Sequence, residues 1–444
     1  MERLRAVAGR LTDRLGARRR ALLVIAAAML LCLPSALTAW RGRDYKHFGS
    51  TVDDGIYWVT AKALAERAGY RIVSLPSEPW QTKYPPLYPA YLALAWKIKP
   101  EFPDNLPLGV LSSWLWAPPL LGLSLLATRK LGLSPRQAVA IAALLAVNPH
   151  FLYFTTGVHT EVPYTVLLLT AILLLERAGA RAGLKWPVAA GVLAAAAFLC
   201  RTAGIALVLS GAAGLLLRRR VQAAAIYLAS ALPAVVGWTW WAQTHRYEGP
   251  DPTLIYHTDY IRFYLETARL QDLPVLLWNN AGGILIRGGM LVVPTPGETT
   301  PERLFSIIVA VLAFLGVWRL ARRVGPSQYH WYAVGHLSLL LPWNFPADSR
   351  LLFPLAPLLM AGLFEEVRNI LAMARAALRA GPRAERLAGT TMLITLAVLG
   401  AIGAWRWSRP LAEHYPQRSE RYRRQLQGVE QAYRWIREQT PAGA

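Results

Sequence analysis

Residues 186–220 decide the fold: they read WPVAAGVLAAAAFLC, then RT, then AGIALVLSGAAGLLL, and they end in RRR. An α-helix rises about 1.5 Å per residue, so each apolar run can cross much of a hydrocarbon layer about 30 Å thick. Arginines occur only between the two runs and after the second one. This pattern predicts a pair of membrane-spanning helices, and similar runs recur along most of the chain.

The overall composition indicates the same class of protein. Of the 444 residues, 54% are hydrophobic and 17% are charged, whereas soluble domains carry about 25% charged residues. The net charge of +22 would suggest nucleic-acid binding in a soluble protein. Here the basic residues cluster in short connections between apolar runs, so we expect no nucleic-acid partner. Cys32 and Cys200 lie inside apolar runs and predict neither a disulfide framework nor a metal site.

We therefore predict an all-α polytopic membrane protein with about 11 transmembrane helices. A basic segment, residues 1–20, precedes the first run, 21–40, which we interpret as an uncleaved span rather than a cleaved signal peptide. The remaining spans are predicted at roughly 107–128, 137–153, 161–176, 186–200, 203–217, 221–242, 303–318, 329–343, 351–366 and 389–407. Several of these runs are shorter than the usual ~20 residues.

The distribution of basic residues predicts the orientation. A cytoplasmic N-terminus places most of the excess positive charge in cytoplasmic connections, as the positive-inside rule requires. The predicted extracytoplasmic parts are the loops 41–106 and 243–302, two short loops and the tail. The proline-led segment Pro85–Ile98 is predicted to be an interfacial helix. The domain organisation is then a membrane domain, 1–407, and a short helical tail, 408–444.

Two adjacent carboxylates, Asp53 and Asp54, lie in the first external loop, shortly before Tyr57. A carboxylate above a membrane span can serve as a general base. The simpler interpretation is an N-cap for the helix that follows, and the pair alone favours the cap.

The sequence Thr82-Lys83-Tyr84-Pro85-Pro86 follows in the same loop. Its prolines make a rigid turn that would hold Lys83 at the membrane surface, where an ammonium group can meet a lipid phosphate. Ordinary snorkelling of a lysine among aromatic residues is an equally good explanation.

Further charged residues lie at predicted helix ends. Glu161 opens a span, where the helix dipole favours an acid, and His159 just before it is a candidate orienting donor or a solvated loop residue. Arg201 between two apolar runs is a functional candidate unless the turn reaches the surface. Arg350 at a helix start needs an anionic partner, either Asp348 or a lipid phosphate.

The loop 243–302 contains His257, Asp259, Arg262 and Arg287 among many aromatic residues. It is predicted to form amphipathic interfacial helices that frame a cavity. Its spacing indicates no role for any of these four residues.

Taken in order, Asp53-Asp54, Lys83-x-Pro-Pro, Glu161 and Arg350-x-x-x-Pro354-x-x-Pro357 resemble the GT-C superfamily of lipid-linked sugar transferases. The pattern is most similar to protein O-mannosyltransferases and to the aminoarabinose transferases of lipid A. The resemblance covers about residues 20–407 and implies a GT-C-type helical bundle. The family's usual Asp-Glu pair is Asp53-Asp54 here, which leaves the role of Asp54 open. The short tail also differs from the soluble domain that often ends such chains.

The resemblance implies roles for individual residues. Asp53 matches the catalytic base and Glu161 a second catalytic acid. Lys83 matches the residue that contacts the donor phosphate, and the arginines Arg201 and Arg350 are candidates for the same contact. The expected supporting residues are Asp54, Tyr57, His159 and Tyr84.

The predicted function is an inverting glycosyltransferase that moves a sugar from a polyprenyl-phosphate donor to a protein, lipid or glycan acceptor. No cofactor is required, although a divalent metal is compatible with the adjacent acids. The expected location is the bacterial inner membrane, with the active site and the C-terminus outside the cytoplasm. The alternatives are a transporter or flippase for lipid-linked glycans and, third, an assembly protein.

Overall fold

The structure is a computed structural model. It describes residues 29–378 except 44–47, 50–52, 76, 268–269, 296, 298 and 344, and it also describes residues 26, 391 and 398. Regular structure in these residues is helical, apart from one isolated bridge between Arg71 and Trp80. The predicted all-α polytopic fold is confirmed, and the chain is an integral membrane protein. The predicted span 389–407 and the tail 408–444 lie outside the described residues, apart from the isolated positions 391 and 398.

The N-terminal part supplies one end of the first predicted span and the helices of the first external loop. Its helices are α1 (Leu33–Arg41), α2 (Asp53–Ala65) and α3 (Leu87–Ile98). Helix α3 follows Pro86 directly, which agrees with the proline-led helix predicted at 85–98. Trp58 of α2 accepts a hydrogen bond at its carbonyl from the indole N–H of Trp96 at 3.0 Å, so α2 and α3 pack together.

The central part contains most of the predicted spans. Its helices are α4 (Leu106–Trp114), α5 (Ala117–Lys130), α6 (Pro135–Ala146), α7 (Pro149–Phe154), α8 (Glu161–Ala180), α9 (Lys185–Cys200), α10 (Ile205–Leu217) and α11 (Val221–Thr244). Helix α9 packs between α8 and α11. A Cβ atom on Gly191 of α9 would lie 2.5 Å from the carbonyl oxygen of Tyr227, so glycine permits this close approach.

The C-terminal part of the described chain completes the bundle. Its helices are α12 (Pro252–Thr258), α13 (Tyr260–Thr267), α14 (Leu273–Val292), α15 (Thr300–Val324), α16 (Gln328–Leu340), α17 (Ser349–Leu352) and α18 (Ala356–Leu378). Gly316 of α15 faces Gly362 of α18 so closely that a Cβ atom on Gly316 would lie 1.8 Å from the Gly362 carbonyl oxygen. Small residues at such a crossing let two membrane helices pack backbone to backbone.

Five described helical segments are long and apolar enough to cross a membrane by length and composition: 106–130, 161–180, 221–244, 273–292 and 300–324. Shorter apolar helices occupy 135–146, 185–200 and 202–217, where three more spans were predicted. The total of about eleven remains a prediction.

Helix α14 was not predicted. The sequence analysis treated 243–302 as an external loop with interfacial helices, but 273–292 form one 20-residue apolar helix. Asn279, Asn280 and Arg287 interrupt its apolar run and lower its mean hydropathy to 1.2. Asn280 donates hydrogen bonds to the carbonyls of Leu341 and Trp343, at 2.9 and 2.7 Å, which ties α14 to the residues after α16.

The two ends of α8 carry separate ion-pair clusters. Glu161 is its first residue and Glu176 lies about 22 Å further along the helix axis. Glu176 Oε2 accepts from Arg218 Nη1 at 2.8 Å, and its Oε1 accepts from the backbone N–H of Gln328 at 2.5 Å. The Glu161 end holds a different set of charges, described next.

Candidate active site

Asp53 is joined to two distant parts of the chain. Its Oδ1 accepts a hydrogen bond from the Tyr84 hydroxyl at 2.5 Å, and its Oδ2 accepts from Arg350 Nη2 at 3.0 Å. The side chain is 22% exposed, so it retains access to solvent. Asp53 is the first residue of α2, so the start of this helix brings its carboxylate to Tyr84 and Arg350.

Asp54 has a different environment although it is the next residue. It is fully buried, and its carboxylate accepts from the backbone N–H groups of Gly49 and Gly55 at 3.0 and 2.9 Å. These bonds tie Gly49 and the first turn of α2 to one side chain. The adjacent acids therefore do different things: Asp54 organises the backbone, and Asp53 faces the charged cluster.

Glu161 joins two arginines that are far apart in the sequence. Its Oε1 accepts from Arg201 Nη1 and from Arg350 Nε, each at 2.7 Å. The residue is fully buried, and its Oε2 has no hydrogen-bond donor among the described residues. Glu161 and Asp53 therefore share Arg350 as an ion-pair partner. The buried charge of Glu161 is balanced by the guanidinium groups of Arg201 and Arg350.

The two arginine side chains are partly exposed. Arg201 is 17% exposed and also donates to the Thr160 hydroxyl at 3.1 Å; Arg350 is 20% exposed. Arg350 bridges Asp53 and Glu161, so its carboxylate partners in the structure are these two residues and not Asp348. Asp348 instead caps α17 by accepting from the Leu351 N–H at 3.0 Å.

Lys83 lies in a buried turn beside this cluster. The side-chain oxygen of Gln81 accepts from the backbone N–H groups of Lys83 and Tyr84, which fixes the turn before the prolines. Lys83 Nζ donates to the Tyr256 carbonyl at 2.7 Å and lies 3.9 Å from the centre of the Tyr256 ring. Burial lowers the pKa of Lys83 to about 8, against the opposing attraction of Asp53. A lysine with this pKa is still mostly protonated at neutral pH.

The supporting residues Tyr57 and His159 are buried next to the cluster. The Tyr57 ring makes an edge contact with the Tyr84 ring, with 4.8 Å between centroids. His159 is 1% exposed and packs against Tyr153, so it is not a solvated loop residue. Burial lowers the pKa of His159, although the nearby Glu161 carboxylate acts in the opposite direction.

Helix α12 covers the lysine side of the site, which the sequence analysis did not predict. The Thr82 hydroxyl donates a hydrogen bond to the Thr258 carbonyl, and Lys83 Nζ donates to the Tyr256 carbonyl. These bonds fix both ends of the segment 256–258. His257 lies between these contacts, and its pKa is lowered by burial and by the charge of Lys83. No sequence motif connects 256–258 with Lys83, because the contacting residues Lys83 and Tyr256 are 173 positions apart.

The site thus combines acids and bases from five separate segments. Among the described residues, no three His, Cys, Asp or Glu side chains are grouped as a metal-binding set. Partly exposed cations beside a partly exposed carboxylate can bind an anionic group and accept a proton from a neighbouring hydroxyl.

Comparison with solved structures gives remote similarities. The Archaeoglobus fulgidus oligosaccharyltransferase in its apo form is 16% identical, with a TM-score of 0.48, over 86% of this chain and 56% of that one. ArnT from Cupriavidus metallidurans bound to undecaprenyl phosphate is 14% identical, with a TM-score of 0.47, over 88% of this chain and 76% of that one. The chain thus spans little more than half the length of the archaeal enzyme. No curated protein sequence matches it.

Comparison with protein families gives a match over residues 83–241. The family is described as dolichyl-phosphate-mannose-protein mannosyltransferase. The matched region begins at Lys83 and includes Glu161 and Arg201, which are three of the five charged residues of the site. The resemblance of this membrane protein to GT-C glycosyltransferases is therefore confirmed.

Proposed function

We propose that the protein is an inverting glycosyltransferase that uses a polyprenyl-phosphate sugar as its donor. The observation that carries this proposal is the convergence of Asp53, Glu161 and Arg350 with Arg201 and Lys83 close by. Asp53 and Arg350 are 297 residues apart in sequence and are joined at 3.0 Å. The family that matches residues 83–241 acts from a dolichyl-phosphate sugar, which makes a lipid phosphate the natural anion for these cations.

The cations would stabilise the leaving group. The bond between the anomeric carbon and the phosphate oxygen breaks, and its electron pair stays on the polyprenyl phosphate. Arg350, Arg201 and Lys83 offer positive charge where that charge develops, and such preorganised charge is often the largest contribution to catalysis. The donor phosphate would compete with Asp53 for Arg350.

Asp53 would act as the base. The acceptor is a protein, lipid or glycan group, and its hydroxyl or amine is a weak nucleophile. Asp53 takes its proton as the new bond to the anomeric carbon forms on the face opposite the phosphate. Arg350 and Tyr84 each donate to one Asp53 oxygen, and the acceptor hydroxyl or amine would donate to a remaining lone pair of the same carboxylate. Glu161 would hold the two arginines, and no step in this scheme requires a metal.

We place the site on the extracytoplasmic side of a bacterial inner membrane, with a cytoplasmic N-terminus and an extracytoplasmic tail, 408–444. The end of the bundle opposite the site carries the basic connections around Arg177, Arg218 and Arg323. The positive-inside rule assigns such an end to the cytoplasm.

The test uses purified protein and a panel of radiolabelled polyprenyl-phosphate sugars. We expect release of free polyprenyl phosphate by the wild type, and loss of release in Asp53→Asn and in Lys83→Ala. Asp104→Asn is the matched control, because this exposed acid of the same external loop pairs only at the surface with Lys99, at 3.4 Å.

The alternative is a transporter or flippase for lipid-linked glycans. No release from any donor, together with lipid-glycan binding that both variants retain, would favour that alternative. Near-normal release by a folded Asp53→Asn protein would remove Asp53 as the base.

A further inference from the structure

We infer that His336 is a positioning residue, which holds the broken helix segment that carries Arg350 and thereby sets the geometry of the site. The inference rests on the proposed function for its activity readout. His336 lies on α16, and neither the sequence motifs nor the proposed mechanism gives it a role.

The segment that carries Arg350 is not a regular helix. Helix α17 has four residues, a 3₁₀ turn follows over Phe353–Leu355, and α18 begins at Ala356. Pro354 and Pro357 have no N–H to donate, so regular helical hydrogen bonding cannot fix this stretch. Other groups must hold it in place if the Arg350 guanidinium is to keep its two carboxylate partners.

Two side chains of α16 bind carbonyl groups of this segment. His336 Nε2 lies 2.7 Å from the carbonyl oxygen of Leu351, the residue after Arg350. About two turns earlier on α16, the Tyr329 hydroxyl donates to the Pro354 carbonyl at 2.6 Å. Asp348 binds the Leu351 N–H from the other side. Both backbone groups of Leu351 are therefore fixed by side chains.

The protonation state of His336 follows from its surroundings. A carbonyl oxygen can only accept, so Nε2 must carry the proton. His336 is 1% exposed, and its Nδ1 has no hydrogen-bond partner among the described residues. A proton on Nδ1 would create a buried charge without a partner, which is costly. The ring is thus held as one neutral tautomer and also stacks on Tyr332, with 5.1 Å between centroids.

The contact is connected to the charged cluster by a second route. The Tyr332 hydroxyl lies 3.2 Å from the Tyr164 hydroxyl of α8, one turn after Glu161. The face of α16 that holds Leu351 therefore also contacts the helix that presents Glu161. A movement of His336 would displace Arg350 relative to its carboxylate partners, and a misplacement of about 1 Å can cost on the order of 100-fold in rate.

The test compares two substitutions at position 336. His336→Phe keeps a planar ring but removes the donor, whereas His336→Gln keeps an N–H group at the place of Nε2. We expect His336→Phe to lower kcat/KM for the polyprenyl-phosphate donor by about 10- to 100-fold, and His336→Gln to remain near the wild type. In an Arg350→Gln background, His336→Phe should lower activity no further, because it acts through Arg350.

A measurement that is independent of activity separates this inference from the proposed function. Amide hydrogen exchange over 349–356 should be faster in His336→Phe than in the wild type and in His336→Gln. The control is His330→Phe, near the N-terminal end of α16, where the ring bonds Ser327 and, in the part of the chain that the structure describes, binds no group of 349–356; it should leave that exchange unchanged. If His336→Phe does not fold, Tyr329→Phe removes the hydroxyl that binds the Pro354 carbonyl of this segment, and it should give the same faster exchange.

Unchanged exchange in His336→Phe, or equal losses of activity in the Phe and Gln variants, would overturn the positioning role. A wild type without transferase activity, together with the expected exchange pattern, would instead contradict the proposed function and leave the positioning of Arg350 standing.

Discussion

Replacing Glu161 with glutamine should destabilise the protein and disorganise the site. The change keeps the shape of the side chain but removes one negative charge that two arginines share at 2.7 Å each. Among the described residues, Arg201 would then lose its ion-pair partner, and Arg350 would keep Asp53 alone. Removing one partner of a buried ion pair typically costs about 3–5 kcal/mol, and Glu161 is fully buried.

A matched control is available on the same helix. Glu176 pairs with Arg218 at 2.8 Å, but the two side chains are 18% and 29% exposed, so screening by water reduces the expected loss for Glu176→Gln to about 1 kcal/mol. Helix propensity barely changes in either variant, because Glu and Gln are similar helix formers.

Thermal unfolding and donor turnover would be measured on both variants in the same detergent. We expect the apparent Tm of Glu161→Gln to fall well below that of Glu176→Gln, and only Glu161→Gln to lose transfer. Equal Tm values for the two variants would refute the argument that Glu161 neutralises two buried arginines. A stable Glu161→Gln protein that binds donor but does not transfer would instead assign Glu161 a chemical step.

Three further predictions follow from individual contacts. Because the pKa of Lys83 is about 8, its ammonium group loses its proton as the pH rises through this value, and KM for the donor should rise between pH 7 and 9. Lys83→Arg should flatten this pH profile. The same profile in the wild type and in Lys83→Arg would exclude Lys83 from phosphate binding. Tyr84→Phe removes a hydrogen bond to the Asp53 carboxylate, worth about 1.5–3 kcal/mol, and chemical unfolding should register that loss; no loss would mean that water replaces the hydroxyl. Gly316→Val should prevent α15 from packing on α18, and the misfolded protein should elute as aggregate in size-exclusion chromatography. Gly237→Val on α11 should elute like the wild type, because a Cβ atom there meets nothing within 4 Å.

The sequence by itself determined the class of fold and several helix bounds. Long apolar runs have few soluble alternatives, because a backbone in lipid must satisfy its own hydrogen bonds in a helix. The predicted spans 161–176 and 221–242 correspond to helices 161–180 and 221–244 for this reason. Helix α14 was missed because Arg287 and two asparagines lower the mean hydropathy of its segment to 1.2, against 2.3 for 300–324.

The tertiary structure alone decided which charges meet. The sequence presents Asp53 and Asp54 as equivalent neighbours, yet one joins Arg350 and the other binds the backbone of Gly49. Local patterns report hydropathy and helix ends, but they carry no information on contacts between residues 189 or 297 positions apart. Such contacts form only when the helices pack, since burying a charge is favourable only where packing brings an opposite charge to it.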